Sequence, residues 1–170
     1  MMPYIKQEKR PFYDDLIKAI VTKFDDPATI VSPELPEVPI WIQNFRVHWL
    51  CETEDQQDGQ FNYFLNKLIK EIHWLTDGTS YYCYKKMEPA IFFIISELLK
   101  SYSVFSGGPS SYFKYNRAMG MLICCSKEIK RRCGSSKAVL ATIFIEKCMN
   151  NLYIEIGDYE KKKIEENGDV

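Results

Sequence analysis

A single all-α domain is the fold this chain predicts, on three observations. Apolar residues recur every three or four positions along five segments, the spacing that gathers them on one helix face. Proline, glycine and serine cluster mainly between those segments, where they punctuate rather than interrupt. The length of 170 residues, 46% of them apolar and 26% charged, suffices for one core that buries roughly 70% of the unfolded surface. Eight Gly and eight Pro are too few for a low-complexity or collagen-like chain, and the apolar fraction excludes intrinsic disorder.

Pro11 opens the first helix, with Asp14 and Asp15 in its first turn, where the helix dipole favours acids. Phe12, Leu16, Ile20 and Phe24 make its stripe. From Asp25 to Ile40, Pro27, Pro33, Pro36 and Pro39 fix φ and remove N–H donors, which predicts an extended connector. Trp41 to Leu50 reads two ways. Ile42, Phe45 and Trp49 fit a helix, while Trp41, Phe45, Val47 and Trp49 fit a short strand; a short helix is preferred. Glu52 to Gly59 reads as a polar, acidic loop, so connector and loop together occupy residues 25–59, with Asp58 capping the next helix.

The second helix runs to about Leu75 on a stripe of Phe61, Phe64 or Leu65, Leu68, Ile72 and Leu75, and Asp77-Gly78 ends it. Tyr81 to Tyr84 reads as loop or helical lead-in. Pro89 fits the first turn of a third helix, apolar around most of its circumference from Ala90 to Leu99 and placed at the centre. Ser106-Gly107-Gly108-Pro109-Ser110 is the clearest break, after which Ser110 or Ser111 caps a fourth helix through Arg132 that Gly134 stops. A fifth helix runs from Lys137 to about Glu155, closed by Gly157. Residues 158–170 form a charged tail, either frayed or a short helix docked by Tyr159 and Ile164.

Lys plus Arg number 22 against 23 for Asp plus Glu, a net charge of -1, so no overall field draws the molecule to nucleic acid or an anionic membrane. Neither is an expected partner. The N-terminus lacks an apolar run with a cleavage site, and Pro89 to Leu99 is about half a membrane span, so a cytoplasmic location is expected. Cys51, Cys83, Cys124, Cys125, Cys133 and Cys148 show no Cys-x-x-Cys spacing and fall mainly in apolar segments, which predicts reduced, buried thiols.

Tyr4-Ile5-Lys6-x-Glu8-x-Arg10 and the ending Tyr159-Glu160-x-Lys162-Lys163-Ile164-x-Glu166-Asn167-Gly168-Asp169-Val170 are distinctive. With Asn62-Tyr63, Tyr115-Asn116, Gly120, and Glu128 followed by Arg131-Arg132, the chain resembles a domain-of-unknown-function family of short helical proteins from bacteriophage and microbial genomes. The resemblance covers about half the chain. It departs at the connector with its acidic loop and at Cys133 to Asp158, joints that are short in the family. The resemblance implies a small helical protein, encoded by a virus or mobile element, with no assigned activity.

Several constellations are candidates for chemistry. His48 and Cys51 lie one helical turn apart, and His73 and Cys83 complete a tetrahedral zinc set if their helices converge. Irregular spacing favours ordinary histidines beside buried thiols instead, and no metal or cofactor is expected. Glu166-x-x-Asp169 has the interval by which all-α nucleotide pyrophosphatases hold Mg²⁺, but Gly168 between the acids favours a helix end. Gly107-Gly108-Pro109 lacks the Lys-Ser/Thr of a phosphate loop. Arg131 and Arg132, with Lys127 and Lys130 a turn before, are guanidinium forks that suit phosphate. The competing reading pairs them with Glu128 or the acidic tail at a helix C-terminus. Tyr81, Tyr82, Tyr84, Tyr112 and Tyr115 could stack on a base, or simply pack. Asn62 and Asn116, if inward, bind each other across helices or line a polar pocket.

The expected function is a non-enzymatic binding protein of viral or phage type, engaging a host protein or a small anionic, nucleotide-like ligand. Sequestration of a nucleotide signal in counter-defence is one concrete form. Ligand-binding candidates are Asn62, Tyr63, Tyr115, Asn116, Glu128, Arg131 and Arg132. A metal-dependent nucleotide hydrolase using Glu166, Asp169 and Glu128 is one alternative, and a structural virion or scaffold component is another. A homo-oligomer is expected should Trp41 to Trp49 present an exposed apolar face.

Overall fold

Residues 5–26, 28, 32–76, 81–101, 112–132 and 135–168 are described by a computed structural model of the chain. A 3-10 turn, Gln7–Lys9, leads into α1 (Arg10–Asp25), followed by α2 (Glu37–Leu50), α3 (Glu54–Thr76), α4 (Tyr81–Lys100), α5 (Tyr112–Arg132) and α6 (Ser135–Asn167). Among the described residues there is no strand, and the all-α single domain holds. No helix there is long and apolar enough to cross a membrane. Among the described residues six α-helices form, against the five main ones that periodicity predicts. The additional one is α2, the segment with two readings.

The starts of α2, α3 and α4 differ from the predicted ones, each because a local signal was outweighed. Pro39 lies in the first turn of α2, where backbone N–H groups have no partner inside the helix, so its missing donor costs little. The acidic stretch is helical from Glu54. The carbonyl of Thr53 accepts from the N–H groups of Gln56 (3.0 Å) and Gln57 (2.9 Å), and Glu54 and Asp55 sit at the favourable end of the dipole. Asp58 is therefore inside α3, not its cap. Pro89 lies inside α4, eight residues past its start, rather than in a first turn. Buried Ala90, Ile91, Ile94, Ile95, Leu98 and Leu99 hold that helix against the core and offset the hydrogen bond that proline removes. The expected breaks at Asp77-Gly78, Ser106 to Ser110 and Gly134 lie outside the described residues.

α6 is the largest departure. It runs 33 residues straight through Gly157, and the charged tail is its last turns. Tyr159 holds those turns with an edge contact to Tyr112 and a tilted ring contact to Tyr115, both at 5.5 Å between ring centres. Gly168, at φ 79°, ends the helix, and its N–H donates to the carbonyl of Ile164 (2.8 Å).

α3 packs on α1, α4 and α5, α5 packs on α6, and α2 packs on α4. An aromatic cluster fills the α1–α2–α3 junction: the Phe45 ring lies 5.6 Å from Tyr13, 5.3 Å from Phe61 and 5.0 Å from Phe64. Trp41 and Trp49 are buried with it, so the exposed apolar side chain of the segment Trp41 to Trp49 is Val47 and not a tryptophan. Cys125 and Cys148 are buried, and burial pushes the Cys148 thiol up to about 12. Cys51 and Cys124 are exposed, against the expectation of buried thiols. The side chain of Cys83 and all of Cys133 lie outside the described residues.

Candidate functional site

The structure does not gather the sequence candidates into one place. Asn62 is buried on α3, and its side-chain oxygen and backbone carbonyl both accept from the Asn66 side-chain amide one turn on. Asn116 is exposed on α5, so the two asparagines form no inward pair. Tyr63 faces α1: its hydroxyl donates to Asp14 (2.7 Å) and accepts from Lys67 Nζ (3.4 Å). Arg10 and Lys67 stand 5.8 and 5.7 Å from its ring centre. Burial and the Asp14 carboxylate raise the Tyr63 pKa. Tyr115 is buried against Tyr159, where α5 packs on α6.

Glu128, Arg131 and Arg132 are together, but as partners of one another. Arg131 donates from Nε (3.2 Å) and Nη2 (2.8 Å) to the two carboxylate oxygens of Glu128, and Arg132 donates from Nε to one of them. The Arg131 hydrogen bonds lead in holding the Glu128 carboxyl down at about 2. Both forks are thus engaged by a carboxylate, at a helix C-terminus whose free carbonyls disfavour anions. An incoming phosphate meets the Glu128 charge beside both guanidinium groups.

The metal and hydrolase sets are not assembled either. His48 stacks on Phe12 at 3.9 Å, edge-on to Tyr13 at 5.3 Å, and burial lowers its pKa. The Cys51 thiol donates to the Val47 carbonyl (3.2 Å). The side chains of His73 and Cys83 lie outside the described residues, as does Asp169. Among the described residues no three His, Cys, Asp or Glu are grouped to hold a metal. Glu166 pairs with Lys163 (3.4 Å) and Lys162 (4.0 Å). Tyr115 meets Tyr159 where antiparallel α5 and α6 overlap. From that contact Glu128 lies about 20 Å along α5, and Glu166 about 10 Å along α6 in the opposite direction.

Two features escape the sequence reading. One is a buried polar seam joining α1, α2 and α3. The Tyr13 hydroxyl donates to Gln60, the Trp49 indole N–H donates to the Gln57 carbonyl (2.9 Å), and the Gln57 amide returns to the carbonyls of Trp49 (3.3 Å) and Glu52 (3.2 Å). The Glu52 carboxylate beside it pairs with Lys9 (2.7 Å). In the Tyr13–Gln60 and Trp49–Gln57 pairs the two partners lie on different helices, which no local pattern reveals.

The other is the outer face of α2. Val38, Trp41, Ile42, Phe45 and Trp49 point into the core. The far side carries Ile40, Gln43, Asn44, Val47, Leu50 and Cys51, all exposed and none charged. Ile40 and Val47 are each 57% exposed and Leu50 37%. Their spacing of seven and three residues puts them on one stripe. The signal was available: both sides of the segment 40–50 are apolar, which is what leaves it legible as helix or strand.

A family model described as a domain of unknown function (DUF6899) matches residues 2–92. That span takes in Tyr4 to Arg10, the connector, α2 and Asn62-Tyr63, and stops before α5. No curated protein and no solved structure matches the chain.

Proposed function

The chain belongs to the DUF6899 family, a domain of unknown function, and on that premise we propose that it is a non-enzymatic binding protein whose partner is another protein, seated on the outer face of α2. The observation that supports this reading is the uncharged stripe of Ile40, Val47 and Leu50. A helix that has already buried one apolar face has no folding reason to carry a second, and such faces mark interaction sites. The stripe lies inside the family span. The viral or phage setting, and hence a host protein as partner, comes from the resemblance of the Tyr4 and Tyr159 segments.

The small-anion form of the reading is the weaker one, because Glu128 already occupies both Arg131 and Arg132. For the hydrolase, the separation of Glu128 from Glu166 leaves no shared metal position between them. The test compares the full chain with Val47→Asp, an exposed change expected to alter stability by no more than about 0.5 kcal/mol. Proteins retained from a bacterial lysate by the full chain should fall at least about tenfold with the variant, the loss expected when an anchor is removed from an interface centre. Equal retention by both, or a discrete nucleotide mass on the purified protein in native mass spectrometry, overturns the reading.

A further inference from the structure

The exposed side of α5 is unlike an ordinary solvated face. Phe113, Asn116, Gly120, Ile123, Cys124 and Lys127 fall within one strip centred on Gly120, and all are exposed. Phe113 is 63% exposed and Ile123 39%. A Cβ built on Gly120 meets nothing within 4 Å, so the middle of the strip is open to close approach by another backbone.

The two ends of the strip carry opposite charge. At the N-terminal end Arg117 pairs with Asp58 (2.9 Å) and Glu54 (3.7 Å), which ties the first turns of α3 to that flank. There Glu54, Asp55 and Asp58 outnumber Arg117 and Lys114. At the C-terminal end Lys127, Lys130, Arg131 and Arg132 outnumber Glu128. A strip flanked at one end by the acidic first turns of α3 and ending at the other in the basic last turns of α5, with the uncharged Gly120, Ile123 and Cys124 between, is complementary to its own reverse.

We propose that α5 is a self-association surface, occupied by a second copy of this chain running antiparallel across a two-fold axis level with Gly120. A two-fold contact makes each residue before Gly120 face the one equally far beyond it in the other copy. Phe113 then meets Lys127 of the second copy, a cation over a ring, and Asn116 meets Cys124. The axis keeps the α3 flanks of both copies on one side, so each acidic first turn of α3 lies against the other copy's Lys127 and Arg131. Gly120 faces itself, which lets the helices approach closely. This surface lies outside the family span and is separate from α2, so a dimer presents two α2 faces.

The test uses the full chain in sedimentation equilibrium at low salt, with the 20.0 kDa monomer as reference. Twice that mass is expected, with dissociation favoured by added salt. Gly120→Arg, which has free space in the monomer, should raise the dimer dissociation constant at least about tenfold, or 1.4 kcal/mol, while leaving the helical circular dichroism unchanged. Asn116→Cys places a thiol opposite the second copy's Cys124. Mild oxidation should then link two chains, and Asn116→Cys with Cys124→Ser should not link. A monomer throughout, or a dimer that Gly120→Arg leaves intact and Asn116→Cys does not link, overturns the proposal. A dimer lost with Val47→Asp alone points instead to α2 as the self-contact.

Discussion

Glu128 shows what a short-range charge arrangement does at the scale of one residue. Its carboxyl lies at about 2 in the fold against an ordinary value of 4.5, chiefly through Arg131. A carboxyl with a lowered folded pKa contributes stability that is present above the unfolded value and lost as pH falls through the folded one. The wild type should therefore be more stable than Glu128→Gln at pH 7, and the gap should close between pH 4.5 and 2. Urea unfolding of both across that range measures it. A gap independent of pH would show that the pairing does not survive in solution. The pairing itself was legible, because arginines three and four residues after a glutamate lie on its side of a helix. What Asn62 and Asn116 face was not. Identical residue types beside tyrosine end up buried on α3 and exposed on α5, since the neighbouring helix, absent from the local pattern, decides which side is inside.

At the scale of elements, the strongest local breakers were weaker than packing. Gly157 in α6 costs about 1 kcal/mol relative to alanine, too little to end a helix whose next turn is held by Tyr159 on Tyr112 and Tyr115. A Cβ at Gly157 meets nothing within 4 Å. Gly157→Ala should accordingly stabilise the protein by about 0.5–1 kcal/mol in urea unfolding. No change, or a loss, would mean that α6 is broken there. Pro39 and Pro89 teach the same lesson. A proline excludes helix interior only where its missing N–H is needed, and the first turn of α2 does not need one. In α4 the buried face beyond Pro89 outweighs it.

The molecule as a whole rests on an aromatic centre where α1, α2 and α3 converge. Phe45 touches Tyr13, Trp49, Phe61 and Phe64 and is fully enclosed. Phe45→Ala should cost about 3–5 kcal/mol, and because the buried residues form one connected core the loss should appear as a lower midpoint of a single cooperative transition. A loss below about 1 kcal/mol would place the ring outside the core. Burying the tryptophans there frees the opposite side of α2, which is why the proposed binding surface is formed by Ile40, Val47 and Leu50 rather than by Trp41 and Trp49.

The amino-acid sequence by itself determined the all-α class and the stripes of α1 and α3, and offered the Glu128 pairing with its arginines as one of the readings of that turn, because each depends on spacing within a few residues of one chain. The tertiary structure alone decided that α2 hides its tryptophans, that the Tyr13, Trp49, Gln57 and Gln60 seam joins three helices, and that Asn62 is buried while Asn116 is exposed. Those outcomes depend on which helix lies beside which, and burial is set by the neighbour rather than by the pattern it covers.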